Sequence, residues 1–161
     1  GARVIGCVGD ADKAELALAN GCDDVILYRD EDVARRAREL TGGHGVAAVY
    51  DSVGRATFAA SLDALRPFGV LVSYGNASGP VEPFNPLLLA QKGSLYFTRP
   101  TLATHIATRE LLEDGAERLF GAIGDGLLHV HVNQVYALSE AAQAQRDLAE
   151  RRTTGSTVLV A

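Results

Sequence analysis

Hydrophobic positions along the chain fall into short blocks that alternate between two periods. Residues 3–8 form a compact apolar run of strand length. The segment that follows, 10–21, is alanine-rich, opens on an aspartate suited to cap a helix and closes on glycine. Residues 25–28 predict a second strand, and 30–40 a second helix stopped by Thr41, Gly42 and Gly43. Residues 46–51 predict a third, buried strand, 55–65 a third helix, and 69–74 a fourth strand that ends at Gly75 and Asn76. Alternation of this kind builds a parallel sheet covered by helices on both faces. Right-handed crossovers make such a sheet doubly wound, with ligands above the carboxyl ends of its strands.

Beyond Ala77 the rhythm breaks. Residues 77–92 carry Gly79, Pro80, Pro83 and Pro86 and predict a long loop, followed by a short strand at 94–98. Residues 101–122 have a helical pattern closed by glycines at 124 and 126; 129–138 alternate like a strand, 139–151 predict another helix and 156–160 a last strand. Two parts are expected: a partial α/β domain over 1–126, and a carboxyl-terminal segment over 127–161.

Composition narrows the class. The chain has 161 residues, 47% hydrophobic and 22% charged, with a net charge of −5. Such a chain can bury roughly 70% of its unfolded surface, so disorder and a disulfide scaffold are excluded. No apolar run approaches the ~20 residues of a membrane-spanning helix. Fifteen basic residues in a net acidic chain give no electrostatic footprint for nucleic acid. Cys7 and Cys22 lie in apolar surroundings and match no zinc spacing, which predicts buried, reduced thiols and a cytoplasmic location. The chain contains no Met and opens at Gly1 almost directly into an apolar stretch, as expected of a portion of a longer protein.

The end of the first strand carries the most chemistry. In a dinucleotide-binding fold the residue at the tip of the second sheet strand meets the adenosine ribose, and an acidic residue there selects NAD. Here the tip reads Val8-Gly9-Asp10-Ala11-Asp12-Lys13. Val8 cannot accept the ribose hydroxyls, Gly9 leaves room and Lys13 supplies a cation, a combination suited to the 2′-phosphate of NADP(H). Asp10 opposes that phosphate and also reads as the N-cap of the following helix. No G-x-G-x-x-G follows any strand, and the glycines at 42, 43 and 45 precede one. A Rossmann-like doubly wound sheet lacking its first strand and its glycine-rich loop is therefore expected. His44, His105, His129 and His131 are scattered without partners at ligand spacing, so no metal site is predicted. Arg35, Arg36 and Arg38 face Asp32 and Glu39 on one helix and predict a solvated, ion-paired surface.

Several segments resemble one family in order along the chain: Asp51-Ser52-Val53-Gly54, Tyr74-Gly75-Asn76-Ala77-Ser78-Gly79-Pro80, Gln91-Lys92-Gly93-Ser94-Leu95, Thr98-Arg99-Pro100-Thr101-Leu102 and Arg151-Arg152-Thr153-Thr154-Gly155-Ser156. They resemble the NADPH:quinone oxidoreductases, the zeta-crystallin-like, zinc-independent medium-chain dehydrogenase/reductases. The resemblance implies the carboxyl-terminal half of an enzyme that moves hydride from NADPH to quinones or related conjugated carbonyl acceptors, and an isolated half without activity. It also implies a set of NADP(H) contacts. Gly9, Asp10, Lys13 and Tyr28 would lie around the adenosine phosphate, Ser52 past the third strand, and Tyr74, Gly75, Asn76 and Ala77 on the nicotinamide side. Arg99 and Pro100 would lie near them, and Arg152 would come from the late helix. Asp10 departs from the small hydroxyl residue common in the family. No catalytic acid is implied.

A homodimer pairing the strand at 94–98 with its own copy is a further implication, in keeping with a short edge strand that must be covered. Two other classes compete. One is a non-enzymatic nucleotide-binding or crystallin-like structural protein on the same fold. The other is a methyltransferase, against which Val8 stands where an acidic tip is required.

Overall fold

The computed structural model describes residues 1–150 and 152–161. They divide into two compact units, Gly1–Thr101 and Leu102–Ala161.

In the first unit, β1 (Ile5–Val8) leads into α1 (Ala11–Ala19), then β2 (Asp24–Leu27), α2 (Val33–Leu40), β3 (Val46–Asp51), α3 (Phe58–Ala64), β4 (Leu65–Ser73), α4 (Leu87–Gln91) and β5 (Tyr96–Thr98). Local chemistry explains the helix starts. Asp10 accepts from the Lys13 amide at 3.0 Å, and Asp32 from the Arg35 amide at 2.8 Å, so each satisfies an amide that the first turn leaves free. β1 pairs in parallel with β2, Val8 opposite Leu27. β3, β4 and β5 form a second parallel sheet in that order, with Asp51 opposite Ser73 and Val72 opposite Thr98. In a doubly wound sheet of order 3-2-1-4-5-6, these are the second and third strands on one side and the fourth to sixth on the other. The parallel strands joined by helices agree with the expected Rossmann-like α/β fold, and among the described residues β1–β2 and β3–β4–β5 form separate sheets.

Two apolar clusters hold this unit. Leu62, Leu65, Leu71 and Leu95 are buried together beneath Phe58, Leu88, Leu89 and Phe97. Ile26, Ala37 and Ala64 are buried with Ile5, Val33, Val46 and Val49 around them, so one core joins both sheets through α2 and α3. Arg38 fastens that join. The expectation of a solvated ion pair is corrected: its guanidinium donates to the carbonyls of Asp63 at 2.8 Å and Leu65 at 3.0 Å, capping the end of α3. Arg35 and Arg36 do pair with Glu39, both at 3.1 Å.

Other expectations shift. Within the predicted loop 77–92, Leu87–Gln91 is helical because Leu88 and Leu89 reach the core, a tertiary contact that turn chemistry does not announce. β3 is less buried than its composition implies, with Tyr50 73% exposed, and Cys7 on β1 is exposed while Cys22 is half-buried. Cys7 lies on β1 and Tyr50 on β3, strands of separate sheets, and Cys22 lies in the turn between α1 and β2.

The second unit contains α5 (Leu102–His105), α6 (Arg109–Gly124), β6 (Val132–Ala137), a 3₁₀ turn (Leu138–Glu140), α7 (Ala141–Ala149) and β7 (Ser156–Val160). The single long helix predicted over 101–122 is two, because the Thr108 hydroxyl accepts from the Leu111 amide at 3.2 Å and starts a new one. β6 and β7 pair in parallel, Tyr136 opposite Leu159. The predicted end of the late helix at Arg151 lies outside the described residues. No helix among the described residues is long and apolar enough to cross a membrane.

Candidate functional site

Two groups of loop residues gather at carboxyl ends of the first unit's strands. At the end of β1, Gly9 is buried against the residue after β2. A Cβ built on Gly9 would lie 2.9 Å from the Tyr28 hydroxyl and 3.4 Å from the Arg29 guanidinium carbon. The register that places Val8 beside Leu27 brings these together, since one further step along each strand reaches Gly9 and Tyr28. Asp10, besides capping α1, lies 3.6 Å from the Lys13 ammonium and 4.0 Å from Arg29. One carboxylate thus holds two cations that are both accessible to solvent.

At the ends of β3 and β4 the construction differs. Asp51 is 6% exposed, and its Oδ1 accepts from the amides of Val53 at 2.8 Å and Gly54 at 3.0 Å. Its Oδ2 accepts from the Thr57 hydroxyl at 2.7 Å and the Ser61 hydroxyl at 2.8 Å. Burial pushes the Asp51 carboxyl pKa up, but the four donors outweigh it and hold the group below its ordinary value. The loop 51–56 is then sewn to 74–79. Tyr74 donates its amide to the Asp51 carbonyl, Ala77 to Ser52, Ser78 to Val53, and Arg55 to Gly79, at 2.8 to 3.2 Å. The Ser78 hydroxyl adds a bond to the Val53 carbonyl and accepts from the Ala56 amide. Gly75 is required here, because a Cβ on it would stand 2.2 Å from the Ser52 carbonyl oxygen.

A cleft of about 410 Å³ opens beside this loop, lined by Ser73, Asn76, Pro83, Phe84, Phe97 and Arg99 among others. Arg99 donates to the Ser73 carbonyl at 2.7 Å, and Phe84 packs against Phe58 and Phe97 with ring centres 4.9 and 5.5 Å apart. Asn76 thereby meets Arg99 in one concavity, with Tyr74, Gly75 and Ala77 on the same loop. Ser52 is exposed next to it, and Pro100 is half-buried just past β5. Arg152 belongs to the second unit. There it is bound to Asp147, which also accepts from the Tyr136 hydroxyl and the Gln143 amide, each at 2.8 Å. These bonds from Tyr136 and Arg152 hold the Asp147 carboxyl below its ordinary pKa.

Two residues were not singled out by sequence reasoning. Arg29 was readable from the strand register, which carries 28 and 29 beside 9 and 10. Asp51 stood in a recognised motif, but its four-donor setting becomes visible only when Thr57 and Ser61 turn toward it. Among the described residues no group of three or more His, Cys, Asp or Glu side chains can hold a metal ion.

The sequence matches the family described as zinc-binding dehydrogenase over residues 20–159, and the chain belongs to that family. It is 52% identical to a quinone oxidoreductase of Pseudomonas aeruginosa over 160 residues, which cover 99% of this chain and 49% of that protein. It is 44% identical to a 2-haloacrylate reductase of a Burkholderia species, covering 99% of this chain and 48% of that one. The structure of Escherichia coli quinone oxidoreductase complexed with NADPH superposes with a TM-score of 0.95 at 48% identity, over 100% of this chain and 50% of that one. The chain spans about half the length of the relatives it matches.

Proposed function

We propose that this chain is the NADP(H)-binding half of a reductase that passes hydride from NADPH to quinones or related conjugated carbonyl acceptors. The observation that carries the reading is the carboxyl end of β1, where Gly9 packs against Tyr28 and Arg29 and the cations of Lys13 and Arg29 gather around Asp10. That is a fit for a 2′-phosphate, and Val8 offers no carboxylate to the alternative ribose. The relatives that match nearly the whole chain, named quinone oxidoreductase or solved with NADPH, support the same assignment.

In this reading Gly9, Asp10, Lys13 and Tyr28 surround the adenosine phosphate, with Asp10 ordering the cations rather than touching the anion. Tyr74, Gly75, Asn76 and Ala77 present the nicotinamide side, with Ser52, Arg99 and Pro100 beside them. When bound, the dinucleotide supplies a hydride, and the protein contributes orientation and exclusion of water. Asn76 can both donate and accept, so it can fix an amide group in one orientation. The relatives' other half would complete the site, and the cytoplasm, where reduced thiols persist, is the proposed location. We further infer a homodimer through β5, whose exposed Tyr96 lies on the outer strand of its sheet.

The test is quinone-dependent oxidation of NADPH by the full-length protein. Turnover with NADPH that exceeds turnover with NADH is expected, and a protein that oxidises neither overturns the proposal. For the dimer, light scattering is expected to give twice the protomer mass, and Tyr96→Pro to halve it by removing a ladder donor. A monomeric wild type ends that part.

A further inference from the structure

We propose that Asp51 is a positioning residue for the nicotinamide-side loop, setting the placement of Tyr74, Gly75, Asn76 and Ala77 without touching the cofactor. The inference rests on the NADP(H)-binding role proposed above and deepens it.

Asp51 does more than cap a helix. A helix N-cap takes one or two amides, and the residue in that place before α3 is Thr57, whose side chain makes no cap bond to the helix. Its hydroxyl donates to Asp51 instead, and so does Ser61 from one turn inside the helix. Both donors are thus drawn from the helix to the carboxylate. With the amides of Val53 and Gly54 they form a ring of neutral partners that fixes both carboxylate oxygens, and with them the peptide planes from 51 to 54.

Those planes carry the carbonyls that hold the second loop. The carbonyls of Asp51, Ser52 and Val53 accept from Tyr74, Ala77 and Ser78 in order. The approach leaves no slack, because a Cβ on Gly75 would stand 2.2 Å from the Ser52 oxygen and one on Gly54 2.5 Å from the Gly79 oxygen. Rotating any peptide between 51 and 54 therefore displaces 74–78. Asp51, 6% exposed as a residue, lies at the root of that chain of contacts and is not among the residues lining the cleft. A buried carboxylate met by four neutral donors makes strong, directional bonds that a neutral replacement cannot reproduce in number.

The experiment compares wild type and Asp51→Asn in the full-length protein by two readouts. Asn fills the same volume and keeps one acceptor oxygen, so the fold is retained while the ring is weakened. Amide exchange followed by NMR is expected to accelerate about ten-fold at Ala77 and Ser78, the size of one lost charge-assisted bond, while Leu71 inside β4 is unchanged. The KM for NADPH is expected to rise by a similar factor of about ten, with a smaller change in kcat. Should Asp51→Asn fail to fold, Ser61→Ala and Thr57→Val each remove a single donor and are expected to give smaller shifts of the same kind. Exchange that is unchanged, or that accelerates uniformly through β4, overturns the proposal, as does a loosened loop with an unaltered KM. A wild type that does not oxidise NADPH overturns the functional reading instead, and the exchange data alone then decide whether Asp51 holds the loop.

Discussion

The two loop clusters of the first unit solve the problem of a strand end in opposite ways. At β1 the side chains are charged and accessible, and the carboxylate of Asp10 is shared between a cap, Lys13 and Arg29 at 3.6 to 4.0 Å. At β3 and β4 the carboxylate of Asp51 is buried, forms no ion pair among the described residues and is fixed by four bonds of 2.7 to 3.0 Å. Exposed charge pairs of the first kind are each worth ~0–1 kcal/mol and can exchange partners. A buried group of the second kind holds a single geometry, because any lost partner leaves an unpaired polar atom. On the proposed NADP(H) reading, the β1 end is the place where selectivity can be tuned one residue at a time, and the β3–β4 end the place where backbone geometry is protected.

The largest effect expected from that contrast is at Gly75. Gly75→Ala drives a methyl group into the Ser52 carbonyl, and chemical denaturation is expected to show a loss on the order of 3 kcal/mol together with loss of turnover. A mild effect would show the stitched loops to be pliant, and the contrast would fail.

Acid is expected to act next. The folded-state pKa of Asp51 is depressed, so its contribution to stability is present in full above the unfolded value of ~3.9 and is lost as pH falls through the folded value. Asp51→Asn is expected to be less stable by about 1–3 kcal/mol near neutrality and to lose less on acidification. Parallel acid denaturation curves for the two proteins would show that the carboxylate is not the stabilising form.

The smallest effect lies at the β1 end. Asp10→Ser keeps a cap residue and releases Lys13 and Arg29, so the KM for NADPH is expected to fall by a factor of about three while that for NADH stays put. Arg29→Ala is expected to move the NADPH constant the other way. An unchanged NADPH constant in Asp10→Ser would leave Asp10 with only its capping role.

Much of this architecture was legible in the sequence where local chemistry dominates. The bounds of β3 and β7 follow from short runs of β-branched and apolar residues, and α1 starts where Asp10 caps it. What escaped depends on partners distant in sequence. Helix α4 exists because Leu88 and Leu89 find the core. Arg38 leaves its own helix face because free carbonyls at the end of α3 lie within its reach. The break at Thr108 was hidden by an apolar pattern that runs on through Ile106 and Ala107, which periodicity alone reads as continuous. At the candidate site, Gly9, Lys13 and Asn76 were nameable from strand-end position. The importance of Asp51 was not, because a carboxylate preceding a glycine turn looks the same whether it meets water or four donors.

The two-sheet arrangement has a consequence for the order in which the molecule comes apart. Each parallel pair is closed by a single intervening helix, so its contacts are local in sequence and can form or melt as a unit. The β1–β2 unit is the weaker one: α1 contributes no buried residue, and only Ile26 on its strands is fully enclosed. Its tie to β3–β5 runs through α2, α3 and the single guanidinium of Arg38. In the 161-residue chain taken alone, the β1–β2 end is therefore expected to open in sub-global fluctuations that leave the Asp51 ring closed.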